Sequence, residues 1–187
     1  MRGSARKFDL ILFGILAVGA LLVFSTLGDE DLWLDEMHSL LDSAGHRAEF
    51  EALPAGQVLH YVPRHTDLNE VSSVAKVWHD MRSDSHPPLF FLILHSWRRL
   101  FGDGDLVVRL PAALFSVLAI LPVAFILREY NKRWTALATA SVLAIAYAHI
   151  QMGQQARPYS LALLIVGVGF WVLATCPHGV SMGRVRP

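Results

Sequence analysis

The sequence predicts an all-α integral membrane protein, with about four transmembrane helices and a large extracytoplasmic first loop carrying amphipathic juxtamembrane helices. Three observations predict it. The chain of 187 residues is 53% hydrophobic and 17% charged, where a soluble domain carries about 25% charged residues. Apolar runs long enough to cross a bilayer, or nearly so, recur at 10–27, 106–127, 134–150 and 159–175. Basic residues collect in the leader (Arg2, Arg6, Lys7) and in the short loop 128–133. The positive-inside rule puts both in the cytoplasm. The formal net charge is zero, so no overall field favours nucleic acid.

Leu10 to Leu27 reads LILFGILAVGALLVFSTL without a charge. A signal peptide is the competing reading, but no A-x-A cleavage site follows and more spans come later. The acidic turn Gly28-Asp29-Glu30-Asp31 then lies outside and opens a polar region, 28–105. Within it, Leu34, Met37, Leu41, Ala44 and Ala48 form the stripe of an amphipathic helix that Gly45 can close. Pro54 to Pro63 reads as loop. Asp67-Leu68-Asn69-Glu70 has capping-box form, and Val71, Val74, Ala75 and Trp78 follow at helical spacing.

Leu89 to Leu100 is apolar on one side but interleaved with His95, Ser96, Arg98 and Arg99, which suits an interfacial helix better than a span. A crossing here would also move the basic loop 128–133 outside, against the charge rule. Phe101-Gly102-Asp103-Gly104-Asp105 is a turn. In the second span, Arg109 lies near one end and can snorkel. Pro111 and Pro122 are tolerable in a membrane helix. Gln151 to Pro158 reads as a short external link, and the tail 176–187 as disordered or aberrant. The single cysteine, Cys176, excludes an intrachain disulfide and a CxxC metal site.

Three polar clusters fall on the outer face under this topology. They are Asp35-Glu36 with His38, Asp84-Ser85-His86-Pro87-Pro88, and Gln154-Gln155-Ala156-Arg157-Pro158-Tyr159. Asp35 suits two roles: a helix N-cap or first-turn acid, or a catalytic carboxylate. Glu36 fits a first-turn or structural residue. His86 reads equally as a loop histidine, and Arg157 as an interfacial anchor. The histidines His38, His46, His60, His65 and His79 show no zinc-binding spacing. No cofactor is fixed by the residues, and a divalent metal stays open. Neither GxxxxGK[ST] nor GxGxxG after a strand occurs, so no soluble nucleotide site is indicated.

Trp33-Leu34-Asp35-Glu36 after a first span, Asp84-x-His86-Pro87-Pro88-Leu89-Phe90-Phe91-Leu92, Phe101-Gly102 with Arg109-Leu110-Pro111, and Gln155-Ala156-Arg157-Pro158-Tyr159 occur in this order. Over residues 8–175 the chain resembles the N-terminal part of the GT-C membrane glycosyltransferases, most of all their bacterial RgtA/B/C/D-like branch. Protein mannosyltransferases and the aminoarabinose transferases of lipid A are more distant relatives. The resemblance implies that 1–175 is the front part of a GT-C transmembrane domain, in a bacterial inner (plasma) membrane with the N-terminus cytoplasmic. It implies a sugar donor on a polyprenyl phosphate and a lipid, glycan or protein acceptor, with no nucleic acid. It implies catalysis by Asp35 with Glu36 as motif partner, His86 near the donor phosphate, and Arg157 close to the active site. Asp84, Gln155 and Tyr159 complete the substrate-binding candidates. The family has more spans than this chain, so a truncated form, inactive alone, is expected.

Chemistry agrees with that expectation. A carboxylate can take the proton of an acceptor hydroxyl, and cations can stabilise a leaving phosphate. No second carboxylic acid is needed, unlike in glycoside hydrolysis, and a single displacement inverts the anomeric centre. The alternative is a non-catalytic membrane binding or assembly protein. A transporter fragment is disfavoured, because ionisable residues inside the spans would mark a pathway.

Overall fold

The computed structural model describes residues 2–61, 63–69, 72–84, 86–130 and 132–176, and every regular element among them is helical. The first helix, α1, is Arg2–Phe24. The polar region holds α2 (Leu34–Ala44), the short α3 (Arg47–Glu51), α4 (Val74–Asp80), a 3-10 turn at Met81–Ser83, and α5 (Leu89–Phe101). The rest is α6 (Asp105–Glu129), α7 (Arg133–Ile145), α8 (Tyr147–Gln154) and α9 (Tyr159–Thr175).

The protein is a membrane protein by length and composition of its helices. Among the described residues, α1 and α6 are long and apolar enough to cross a bilayer, and α7 with α8 makes a third candidate if the bent pair counts as one. The expected span 134–150 falls on two helices, and the chain bends by 57° between α7 and α8, at Ala146, whose backbone is extended. The bend lets α8 bring polar groups against its neighbours. His149 is buried with Nε2 3.1 Å from the Ser116 carbonyl oxygen. Gln154 Nε2 donates to Thr26 Oγ1 at 2.6 Å. The helix therefore runs through Gln154, and the link to α9 is shorter than expected. At 17 residues, α9 is apolar but short. With 13 residues, α5 spans about 20 Å, less than the roughly 30 Å hydrocarbon core.

Side-chain contacts fix the two ends of the bundle. Arg128 reaches Asp9 at 3.2 Å and covers the Phe8 ring at 5.1 Å. At the other end, Arg109 bonds the Leu27 carbonyl at 3.1 Å. So α1 and α6 are antiparallel, and the basic leader shares an end with the 128–133 loop. Small residues allow close approach: Ala136, Ala140 and Ala144 of α7 are buried with Phe8, Leu12 and Ile120. Gly153 sits where an added Cβ would lie 2.7 Å from Ser116 Cβ and 3.1 Å from Val23 Cγ1. Gly153→Ala is expected to cost about 1–3 kcal/mol by overpacking, seen as a lower unfolding midpoint in detergent. An unchanged midpoint would mean that α8 can slide.

The polar region departs from the sequence pattern in two places. Gly45 does end α2, at φ 73°, so Ala48 falls in α3. Of the apolar stripe, Leu41 and Ala44 are buried but Leu34 and Met37 are exposed, while the polar Glu36, Ser39, Asp42 and Ser43 are buried. Leu34, Met37 and Leu41 instead line a cavity of about 480 Å³ with Phe50, Leu53 and Leu59. The polar side faces inward because arginines meet it. Arg98, 3% exposed, donates to the Leu40 carbonyl, Ser43 Oγ and the Thr66 carbonyl. The next helix begins at Ser73, whose Oγ accepts from the Lys76 amide, rather than at Asp67. Asn69 and Ser72 bond one another ahead of it. Glu70 of the expected capping box, Val71, and the tail from 177 onward lie outside the described residues.

Candidate functional site

The carboxylate of Glu36 reaches back to the Trp33 amide at 3.4 Å, the side-chain half of a capping box. Its main partner is Arg109. Nε lies 2.8 Å from Oε1 and Nη2 lies 2.7 Å from Oε2, a two-pronged pair. Arg109 also donates to the carbonyls of Leu27, Glu30 and Asp31, so all of its N–H groups are engaged. The Ala156 amide donates to Glu36 Oε1 at 2.8 Å. Glu36 and Arg109 are 0% and 4% exposed. This pair joins the turn after α1, the start of α2, the start of α6 and the link before α9. The snorkelling expected of Arg109 is thereby corrected. An arginine inside an apolar run needs a partner, and that was the signal available in the sequence.

Asp35 is the next residue back, and its environment is opposite. Its side chain is 41% exposed, and Oδ2 stands 3.7 Å from Arg157 Nη2. Arg157 is 8% exposed. Its Nη1 donates to the Asp35 carbonyl at 3.0 Å and its Nη2 to the Tyr159 hydroxyl at 3.2 Å. Its guanidinium lies 5.4 Å over the Tyr159 ring, and its Nε is buried with no protein partner. Gln155 lines a polar cavity of about 610 Å³ beside Glu36 and Arg109. The first and third clusters of the sequence thus meet. The site pairs a reachable carboxylate with a held guanidinium, on backbone clamped by a buried ion pair.

The second cluster sits at the other end of α2. Arg47 forms ion pairs with Asp42, at 3.0 Å, and with Asp84. Asp84 Oδ1 accepts from the His86 amide at 2.6 Å and lies 2.8 Å from His86 Nδ1. Asp42 is seven residues beyond Asp35, about 10 Å along the helix. Asp84 and His86 therefore belong together, next to a separate cavity of about 380 Å³ that they line with Trp78 and Arg82. Burial opposes the charge of Asp84, but the His86 amide and ring, and then Arg47, outweigh it and hold the group below the ordinary carboxylate range.

Burial dominates for Asp42 and pushes its carboxyl from 3.8 up to about 6, despite Arg47. Between these values the folded chain keeps a proton that the unfolded chain has released. The stability contributed by Asp42 is present below pH 3.8 and lost as pH rises to about 6. Asp42→Asn mimics the protonated form. It is expected to gain about 1–3 kcal/mol over the parent at pH 7.5 and little at pH 4, measured by SDS titration. An equal shift at both pH values would refute the assignment. Among the described residues, no three His, Cys, Asp or Glu side chains gather as a metal would require.

Residues 85–177 match the family model of the dolichyl-phosphate-mannose-protein mannosyltransferases. The chain carries a domain of this family. The mannosyltransferase-family domain is of the GT-C kind, a class of membrane glycosyltransferases that draw their sugar from a polyprenyl phosphate. His86, Arg109, Gln155, Arg157 and Tyr159 lie within the matched stretch, whereas Asp35 and Glu36 lie before it. Glu36 nevertheless bonds Arg109 and Ala156, both inside the mannosyltransferase-family domain. No curated protein and no solved structure matches the chain.

Proposed function

We propose that this end of the bundle is the catalytic centre of an inverting membrane glycosyltransferase. The observation that carries the reading is the half-exposed Asp35 carboxylate beside the held Arg157. Asp35 takes the proton of the acceptor hydroxyl. The acceptor oxygen bonds to the sugar's C1 as the C1–O bond to phosphate breaks, and polyprenyl phosphate leaves with the electron pair. Arg157 supplies positive charge near the departing phosphate. Glu36, sealed by Arg109, positions Asp35. His86 and Asp84 act at the cavity of about 380 Å³ that they line, where the donor's phosphate-proximal part extends. Asp35→Asn decides the catalytic assignment: loss of sugar transfer at unchanged membrane abundance is expected.

The topology of this proposal has four crossings: α1, α6, the bent α7–α8 pair, and α9. The region 28–105 and the catalytic end then face away from the cytoplasm, in a bacterial plasma membrane. The charge rule supports it, because the leader and the 128–133 loop are basic and share one end. In a Cys176→Ser background, a cysteine at Tyr130 should resist an impermeant thiol reagent in intact cells. One at Val58 should react. The reverse pattern would invert the site's side.

A further inference from the structure

The cavity of about 610 Å³ beside the Glu36–Arg109 pair is used by neither Asp35 nor Arg157. Its wall combines three kinds of group. Trp33 and Tyr147 offer rings that are 47% and 73% exposed. Gln151 and Gln155 add amides. Asp29, Glu30 and Asp31 add exposed carboxylates. Arg109 is the cation in this wall, and Glu36 with three carbonyls consumes all of its donors. The cavity is therefore net negative.

That lining discriminates. A phosphate or another anion is repelled from it, so the donor's charged end belongs elsewhere. A hydroxyl is both donor and acceptor. An amide matches it in both senses, and a carboxylate accepts from it. Ring faces cover apolar surface while leaving polar edges wet. Polar groups of this kind in one wall with two exposed rings suit a ligand rich in hydroxyls, with an apolar C–H face and no negative charge. The volume lies in the range of small-ligand sites. Within the wall, Gln151 Nε2 already donates to the Tyr147 hydroxyl at 2.6 Å, which pre-orients both.

We propose that this cavity binds an uncharged glycan. Resting on the transferase reading of Asp35, the bound glycan is the sugar acceptor. Glu36 forms part of the wall and precedes Met37 on the same helix turn as Asp35. The chain thus brings an acceptor sugar and the base to one helix start.

The test is saturation-transfer NMR on the 187-residue chain in nanodiscs. The probes are maltose, cellobiose and mannobiose, with glucose 6-phosphate and a Ser/Thr-rich peptide for comparison. At least one neutral disaccharide should receive saturation, and glucose 6-phosphate should not. Tyr147→Ala should weaken binding about tenfold, while Tyr147→Phe, which keeps the ring, should retain most of it. Circular dichroism checks that both variants keep the parental helix content; if Tyr147→Ala does not, Gln151→Ala takes its place. Binding of no disaccharide, equal binding by the alanine variant, or preference for the peptide or the phosphate would each overturn the proposal. Asp35→Asn separates the two readings. If it leaves sugar transfer intact while the disaccharide binds, the transferase reading fails and the glycan cavity stands. If it abolishes transfer while no disaccharide binds, the cavity assignment fails alone.

Discussion

Asp35→Asn, placed at the chromosomal locus, is expected to lower sugar transfer about 10²–10⁴-fold, the usual contribution of a positioned general base. Chain abundance in the membrane should not change. Asn keeps the size of the side chain and its place in the first helical turn. The contact that organises this turn on the Arg157 side runs to the backbone carbonyl of Asp35, not to its carboxylate. The substitution therefore removes proton-accepting capacity and the 3.7 Å ion pair to Arg157, while leaving the backbone hydrogen bond that holds this turn in place. The readout is incorporation of labelled sugar from polyprenyl-phosphate donor by washed membranes, beside an immunoblot of the chain. Undiminished transfer would sink the catalytic assignment. A parallel loss of protein would instead make Asp35 a structural residue.

Arg109→Ala has the second large effect, on stability. It leaves the fully buried Glu36 carboxylate without its ion pair. Breaking a buried pair from one side costs about 3–5 kcal/mol. It also frees the Leu27, Glu30 and Asp31 carbonyls. Loss of most of the folded chain from membranes is expected, with a sharply lower SDS midpoint for what remains. Glu36→Leu combined with Arg109→Met should recover a substantial part, since replacing both partners removes the unpaired charge. If the single variant accumulates and unfolds like the parent, the clamp is not what holds these four segments together. Asp35→Asn and Arg109→Ala thus separate two adjacent acids by their readouts. One changes rate at constant abundance, and the other changes abundance.

The two acids stand side by side in sequence, and nothing in their spacing assigns their roles. Helix geometry separates them. Consecutive side chains on a helix point about 100° apart, so Glu36 turns inward to α6 while Asp35 stays at the surface near α9. Arg109 was readable as an arginine in an apolar run, but its partner lies 73 positions away. The stripe of α2 held in part, for a related reason. Periodicity assumes that apolar side chains face inward; Leu41 and Ala44 do, but buried arginines of α5 and α6 also draw polar residues in and leave Leu34 and Met37 exposed. The apolar run 134–150 carries no local sign of the break at Ala146, because the partners that His149 and Gln154 reach, Ser116 of α6 and Thr26 after α1, come from distant parts of the chain.

By itself, the sequence determined the helical class, the apolar runs, the basic end of the bundle and the two stretches that meet at the site. These follow from composition, local periodicity and residue order. Only the tertiary structure decided which acid is exposed, that Arg109 seals the other, and that Asp84 and His86 sit beside Arg47 and Asp42 at the far end of α2 from Asp35. The physical reason is that burial and ion pairing are properties of residues brought together from distant positions, and desolvation gives the same side chain opposite roles on two faces of one helix.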